Sequence, residues 1–210
     1  MKKQTLLITM LLIACGMYAK PKFPPIKNSG LKLNILSPIY SNLSISYQHL
    51  LNPFRSIQVT AAYMDFNDYV NQNNDNLRVQ GFSITPEYRM NFNGYGLNGF
   101  YAGPFLRYMD YQKTYDNGSN FYPATENSNF KSVGLGFNIG HQFIIKNTVL
   151  VDLFAGPVYQ ILVQEKVNRS IINPQPFYYD ENPEYLAQSI PNRYLKGYGI
   201  RAGITIGIAF

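Results

Sequence analysis

The 210-residue sequence predicts an all-β fold, an antiparallel barrel of eight strands, on three observations. Side-chain polarity alternates with a period of two through eight segments, the repeat of a strand whose two faces meet different surroundings. In the clearest segments the second face is mostly Gly, Ser, Thr and Asn, small enough to fill the inside of a narrow closed sheet. The connections alternate between short turns and long polar links, so successive hairpins open at opposite ends. Composition agrees. The chain is 46% hydrophobic, 15% aromatic and 14% charged, with a mean hydropathy of -0.18. That is too aromatic for disorder and too weakly charged for an ordinary soluble surface. A helical membrane bundle is excluded, because each span needs about 20 consecutive apolar residues and only the N-terminus approaches that.

Residues 1–19 read as a signal peptide. Lys2 and Lys3 precede an apolar run from Leu6 to Ile13, and small residues follow at Ala14, Gly16 and Ala19. Cleavage after Ala19 removes Cys15, the one cysteine, and takes the net charge from +6 to +4. The remaining bases are scattered, so nucleic acid is not an expected partner. A second reading stays open, since Leu12-Ile13-Ala14-Cys15 resembles a lipobox in which the cysteine is lipidated. Residues 20–30 read as a short periplasmic lead, and 31–210 as the barrel domain.

The strand segments are Leu31 to Leu36, Asn42 to Leu50, Ser56 to Phe66, Arg78 to Met90, Gly99 to Gln112, Asn129 to Ile145, Val149 to Ile161 and Tyr198 to Phe210. In the last, Tyr198, Ile200, Ala202, Ile204, Ile206, Ile208 and Phe210 share one face, with Gly, Thr, Ala and Arg201 on the other. In the sixth, Val133, Leu135, Phe137 and Ile139 oppose Ser132, Gly134, Gly136, Asn138 and Gly140. A soluble sandwich would turn long charged groups to water on its second face. Small residues there point instead to a lumen, with the bulky face turned to lipid. Links after strands 2, 4 and 6 are short, whereas those after strands 3, 5 and 7 run to about eleven, sixteen and thirty-six residues. The first set suits periplasmic turns and the second external loops. Tyr101-Ala102-Gly103-Pro104 recurs as Phe154-Ala155-Gly156-Pro157 on two strands of the same direction, and the prolines are expected to mark bulges.

With a leader, eight alternating strands and an aromatic end at Phe210, the chain resembles the small bacterial outer-membrane β-barrel proteins of the OmpA/OmpX-like type, many of them of uncharacterised function. The resemblance implies a transmembrane barrel in the outer membrane of a Gram-negative bacterium, with outer-membrane lipid, lipopolysaccharide and the barrel-assembly machinery as partners. It also implies that Phe210 is the assembly signal. No Trp anchors the girdles, in contrast to the family.

Six charged residues fall on the inward face: Lys32, Glu87, Arg89, Arg107, Asp152 and Arg201. They are expected to form ion pairs that plug the interior, since an unpartnered buried charge is strongly unfavourable and eight strands leave little room for water, although four bases against two acids imply that not every base has a carboxylate partner. The competing reading is a polar pathway through a small porin-like channel. Lipid-modifying barrels use a histidine near the outer surface, but His49 and His141 both adjoin short turns at the periplasmic end. No catalytic, cofactor-binding or metal site is expected. The longest loop carries Phe177, Tyr178, Tyr179, Asp180, Glu181 and Tyr185, candidate contacts for a surface partner of unknown identity. The leading functional expectation is a non-enzymatic structural or surface-interaction protein, and the alternatives are a lipid-modifying enzyme or a channel.

Overall fold

The structure, a computed structural model, describes residues 27–37, 42–69, 76–92, 96–117, 124–171 and 196–210. Its strands are β1 (Ser29–Asn34), β2 (Asn42–Asn52), β3 (Arg55–Tyr69), β4 (Asn76–Asn91), β5 (Gly99–Asn117), β6 (Ala124–Ile145), β7 (Val149–Ile171) and β8 (Gly197–Ala209). Each pairs antiparallel with the next, and β8 returns to β1, closing the barrel. Ser29 and Phe210 exchange both backbone hydrogen bonds across that seam, at 3.0 and 2.9 Å.

The register sets the shape. Successive partners of Gly30 are Gln48, Gln58, Glu87, Phe105, Gly136, Val158 and Gly199. Gly30 itself pairs with Ala209, so the sheet closes ten residues out of step along β8. For eight strands this shear tilts each one by about 40° from the barrel axis. Two positions keep the same height when one steps back about 1.25 residues for every strand crossed from β1 towards β8.

The alternation falls as the sequence predicts. Large apolar side chains such as Leu33, Ile45, Val59, Ile84, Leu106, Leu135 and Ile206 are exposed on the outer surface, and Ser46, Thr60, Ser83, Ser132 and Thr205 are buried inside. Aromatic rings collect at both edges of this apolar surface. Tyr63, Phe82, Tyr108, Tyr159 and Tyr198 lie at one height; Tyr63 pairs with Phe82, the Phe82 and Tyr108 rings are 6.1 Å apart, and those of Tyr159 and Tyr198 are 4.8 Å apart. Phe100, Phe143 and Phe210 lie at the other edge, beside the short turns. Phe100 and Tyr108, on one face of β5, are separated by roughly 20 Å along the axis. Beyond the upper ring come exposed ion pairs, Asp65–Arg78 at 2.9 Å and Asp110–Lys131 at 3.3 Å. The Arg78 hydrogen bonds hold the Asp65 carboxyl below the ordinary carboxylate range.

Three expectations change. β1 begins at Ser29, two residues inside the segment read as a lead. Strands β3 and β4 run slightly, and β5, β6 and β7 well, past their expected ends, so the links after β3 and β5 shrink to residues 70–75 and 118–123. Their extensions are held by polar pairs such as Thr114–Asn127 at 2.9 Å and Thr125–Asp116 at 2.7 Å. Above an apolar belt a ladder needs no greasy face, so periodicity of hydrophobicity stops before the strand does.

The prolines mark no bulge. Register shifts occur instead between Leu50 and Asn52 and between Lys131 and Ser132. On β5, pairing to β6 runs unbroken through Pro104↔Phe137, while pairing to β4 skips from Glu87↔Phe105 to Met90↔Ala102 without losing step. Pro157 behaves alike, paired to Ile200 on one side and skipped by β6 on the other. On each skipped side the preceding glycine packs against a backbone carbonyl: Gly103 against Tyr88 and Gly156 against Phe137, where a Cβ would overlap the oxygen. The repeated motif thus brings two strands closer than a side chain permits, at the one position where proline has no N–H to pair.

Candidate functional site

The interior is built in tiers. At the end of the short turns, Leu50, Leu150 and Ala209 from β2, β7 and β8 meet Leu97, which lies in the β4–β5 turn, with Ile144 against them. Leu97 is 2% exposed, so a turn residue caps the mouth. Asn91 Nδ2 holds that turn in place by donating to the Gly96 carbonyl at 3.0 Å.

Above this seal five of the six inward charges form one continuous network. Asp152 accepts from Lys32 Nζ at 2.7 Å, Arg89 Nη1 at 2.8 Å and the Tyr101 hydroxyl at 2.7 Å. Arg89 Nε donates to Glu87 at 2.7 Å, and the other Glu87 oxygen accepts from Arg201 at 2.9 Å and Asn138 at 2.8 Å. Lys32 also donates to Gln48 Oε1 at 2.7 Å. Lys32, Glu87, Arg89 and Asp152 have fully buried side chains. Rings complete the tier: the Arg89 guanidinium lies 4.0 Å from the Tyr101 centroid, and that of Arg201 lies 4.6 Å from Phe154 and 5.0 Å from Phe105. Charges from β1, β4, β7 and β8 meet at the centre because the shear brings to one height residues that are far apart in the chain. Such a chain of pairs ties β1, β4, β7 and β8 together across the interior.

Arg107 stands outside the network. Among the described residues it has no carboxylate partner, and its Nε is buried with no hydrogen bond. Its neighbour Tyr111 offers a phenol rather than a counter-charge. Higher still, Met109 and Tyr111 pack with Met64 and Phe130.

His49 and His141 face outward near the 53–54 and 146–148 turns. His49 Nδ1 is 3.0 Å from Ser29 Oγ, and His141 lies between the rings of Phe100 and Phe143, 5.8 and 4.2 Å away. Among the described residues no three His, Cys, Asp or Glu gather as metal ligands. The loop residues Phe177, Tyr178, Tyr179, Asp180, Glu181 and Tyr185 lie outside the described residues.

The sequence did not single out Gln48 and Leu97, and it named Tyr101 only in the Gly-Pro repeat, not as part of the interior network. Gln48 and Tyr101 carried a usable signal, as hydrogen-bonding groups on the inward row. Leu97 carried none, because a turn has no periodicity that says where its apolar residue points.

The family model described as a protein of unknown function (DUF3575) matches residues 5–187. No curated protein matches the chain. Among solved structures, Acinetobacter baumannii CarO is similar over 91% of this chain and 99% of its own, at 14% identity and a TM-score of 0.48. A. baumannii CarO2 is similar over 88% and 97%, at 14% identity and a TM-score of 0.49. A major outer membrane protein of Thermus thermophilus is similar over 89% and 100%, at 15% identity and a TM-score of 0.48.

Proposed function

The chain belongs to the DUF3575 family of proteins of unknown function, and from its geometry we propose that it is a non-conducting outer-membrane barrel with a structural or surface-interaction role. The observation that carries the reading is the Lys32–Asp152–Arg89–Glu87–Arg201 chain, which links four strands across the interior above the Leu97 cluster. The outer surface supports the location: a continuous belt of Leu, Ile and Val between two aromatic girdles is a surface that water does not tolerate and a bilayer does. The girdle spacing is comparable with the ~25 Å apolar band of such barrels. On this reading Phe210, exposed just beyond β8, serves as the assembly signal. With the bore filled, recognition falls to the end that carries the long strand extensions and the 172–196 link.

The protein is expected in the outer-membrane fraction and, in planar bilayers, to give no stable conductance steps. Steady channels that change with Arg89→Gln would reverse the reading in favour of a small porin. An altered lipid A acyl pattern in a deletion strain, read by mass spectrometry, would reverse it in favour of a lipid-modifying enzyme.

A further inference from the structure

The geometry points to an oxyanion site in the upper lumen, between Arg107 and Arg201, that takes a carboxylate or phosphate group. Charge balance is the first argument. Of the six inward charges named from the sequence, four are bases and two are acids, and both acids are consumed below: Asp152 by Lys32 and Arg89, Glu87 by Arg89 and Arg201. One guanidinium, Arg107, is left with no carboxylate among the described residues and a buried, unbonded Nε. Retaining such a cation in a low-dielectric interior is strongly unfavourable unless something anionic meets it.

Register is the second argument. Arg107 pairs with Gly134, Gly134 with Gln160, and Gln160 with Gly197. Stepping back about 1.25 residues per strand from β5 to β8 moves this row about four residues, from Gly197 to Arg201. The two guanidiniums therefore share one height, and Arg107 feels the Arg201 charge. Gly134 on the row between them contributes no side chain. The buried Ser132 hydroxyl, without a hydrogen-bond partner, borders the row and can donate to an anion. The floor is the pair of rings, Phe105 and Phe154, against which Arg201 stacks. Two guanidinium forks over an apolar floor suit the planar or tetrahedral oxygens of a carboxylate or phosphate.

Two sources could deliver that group. A free anion would descend from the upper mouth. A lipid-borne headgroup would carry the same group on an apolar tail.

The test is thermal unfolding of the full-length folded protein in dodecyl maltoside, followed by circular dichroism, with inorganic phosphate and dodecyl phosphate titrated separately against sodium chloride of matched ionic strength. Phosphate should raise Tm saturably, by about 5 °C at a hundredfold excess over Kd. The response should vanish in Arg107→Gln and weaken in Arg107→Lys, which keeps the charge and loses the fork. Without added anion, Arg107→Gln should melt higher than the native protein, since it removes an uncompensated cation. A rise with dodecyl phosphate alone supports the same site with a lipid-borne occupant. No rise with either ligand, or a rise of equal size in Arg107→Gln, overturns the proposal. Should Arg107→Gln not fold, a rise undiminished in Arg107→Lys overturns it equally.

Discussion

Asp152 accepts hydrogen bonds from three strands other than its own, through Lys32, Arg89 and Tyr101. Its removal leaves two buried cations sharing what Glu87 alone supplies, and breaking one partner of a buried ion pair costs about 3–5 kcal/mol. Asp152→Asn is therefore expected to lose about that much in urea unfolding of the reconstituted barrel. Adding Lys32→Met should restore part of the loss, because it deletes one of the two stranded charges. Equal stability of Asp152→Asn and the native protein would mean that the network fills space without holding strands together. At this scale the sequence was half legible. Period two placed all six charges inside, but Lys32 and Asp152 are 120 residues apart. Which base meets which acid is a consequence of the shear, and shear is a property of the closed sheet that no single strand encodes. Four bases against two acids already implied that some base lacks a carboxylate, but that it is Arg107 became visible only when the register was known.

Strands were legible for as long as their outer face had to be apolar. The alternation located all eight, and lost β5, β6 and β7 where Thr114, Asp116, Thr125 and Asn127 take over the ladder. The Gly-Pro repeat was legible as a repeat and not as a device, since a proline in a strand signals a lapse in pairing without saying whether a residue is inserted. A contrast between two glycines tests the close approach. A methyl group at Gly156 would run into the Phe137 carbonyl, which is backbone in a neighbouring strand. At Gly134 it would meet Gln160 Cγ at 3.1 Å and Val158 Cγ2 at 3.2 Å, side-chain atoms able to shift. Gly156→Ala should thus cost about 1–3 kcal/mol and lower the fraction that migrates as folded barrel in unboiled gel samples. Gly134→Ala should stay within about 1 kcal/mol of native. If the two variants behave alike, the approach of β6 to β7 at Gly156 is not what the motif is for.

The two ends of the molecule differ, and on the outer-membrane reading proposed above that difference predicts which end faces out. One end has a two-residue turn at Pro53-Phe54, a turn through Lys146 and Asn147 in left-handed backbone at φ 51° and 56°, and the Leu97 cap. The other carries β5 to β7 upwards beyond the Asp65–Arg78 and Asp110–Lys131 pairs, with exposed Glu165 and Lys166 on β7. A chain threaded from the periplasm forms its tight turns on that side and pushes its polar extensions across the membrane. The orientation can be read with single cysteines in a Cys15→Ser background, Cys15 being the one native cysteine. A membrane-impermeant maleimide should label Asn168→Cys, exposed on the β7 extension, on intact cells. Pro53→Cys should label only after the outer membrane is permeabilised. Labelling of Pro53→Cys but not Asn168→Cys on intact cells would invert the barrel. It would also move the upper lumen, with Arg107 and Arg201, to the periplasmic side, leaving the closed Leu97 end to face the exterior.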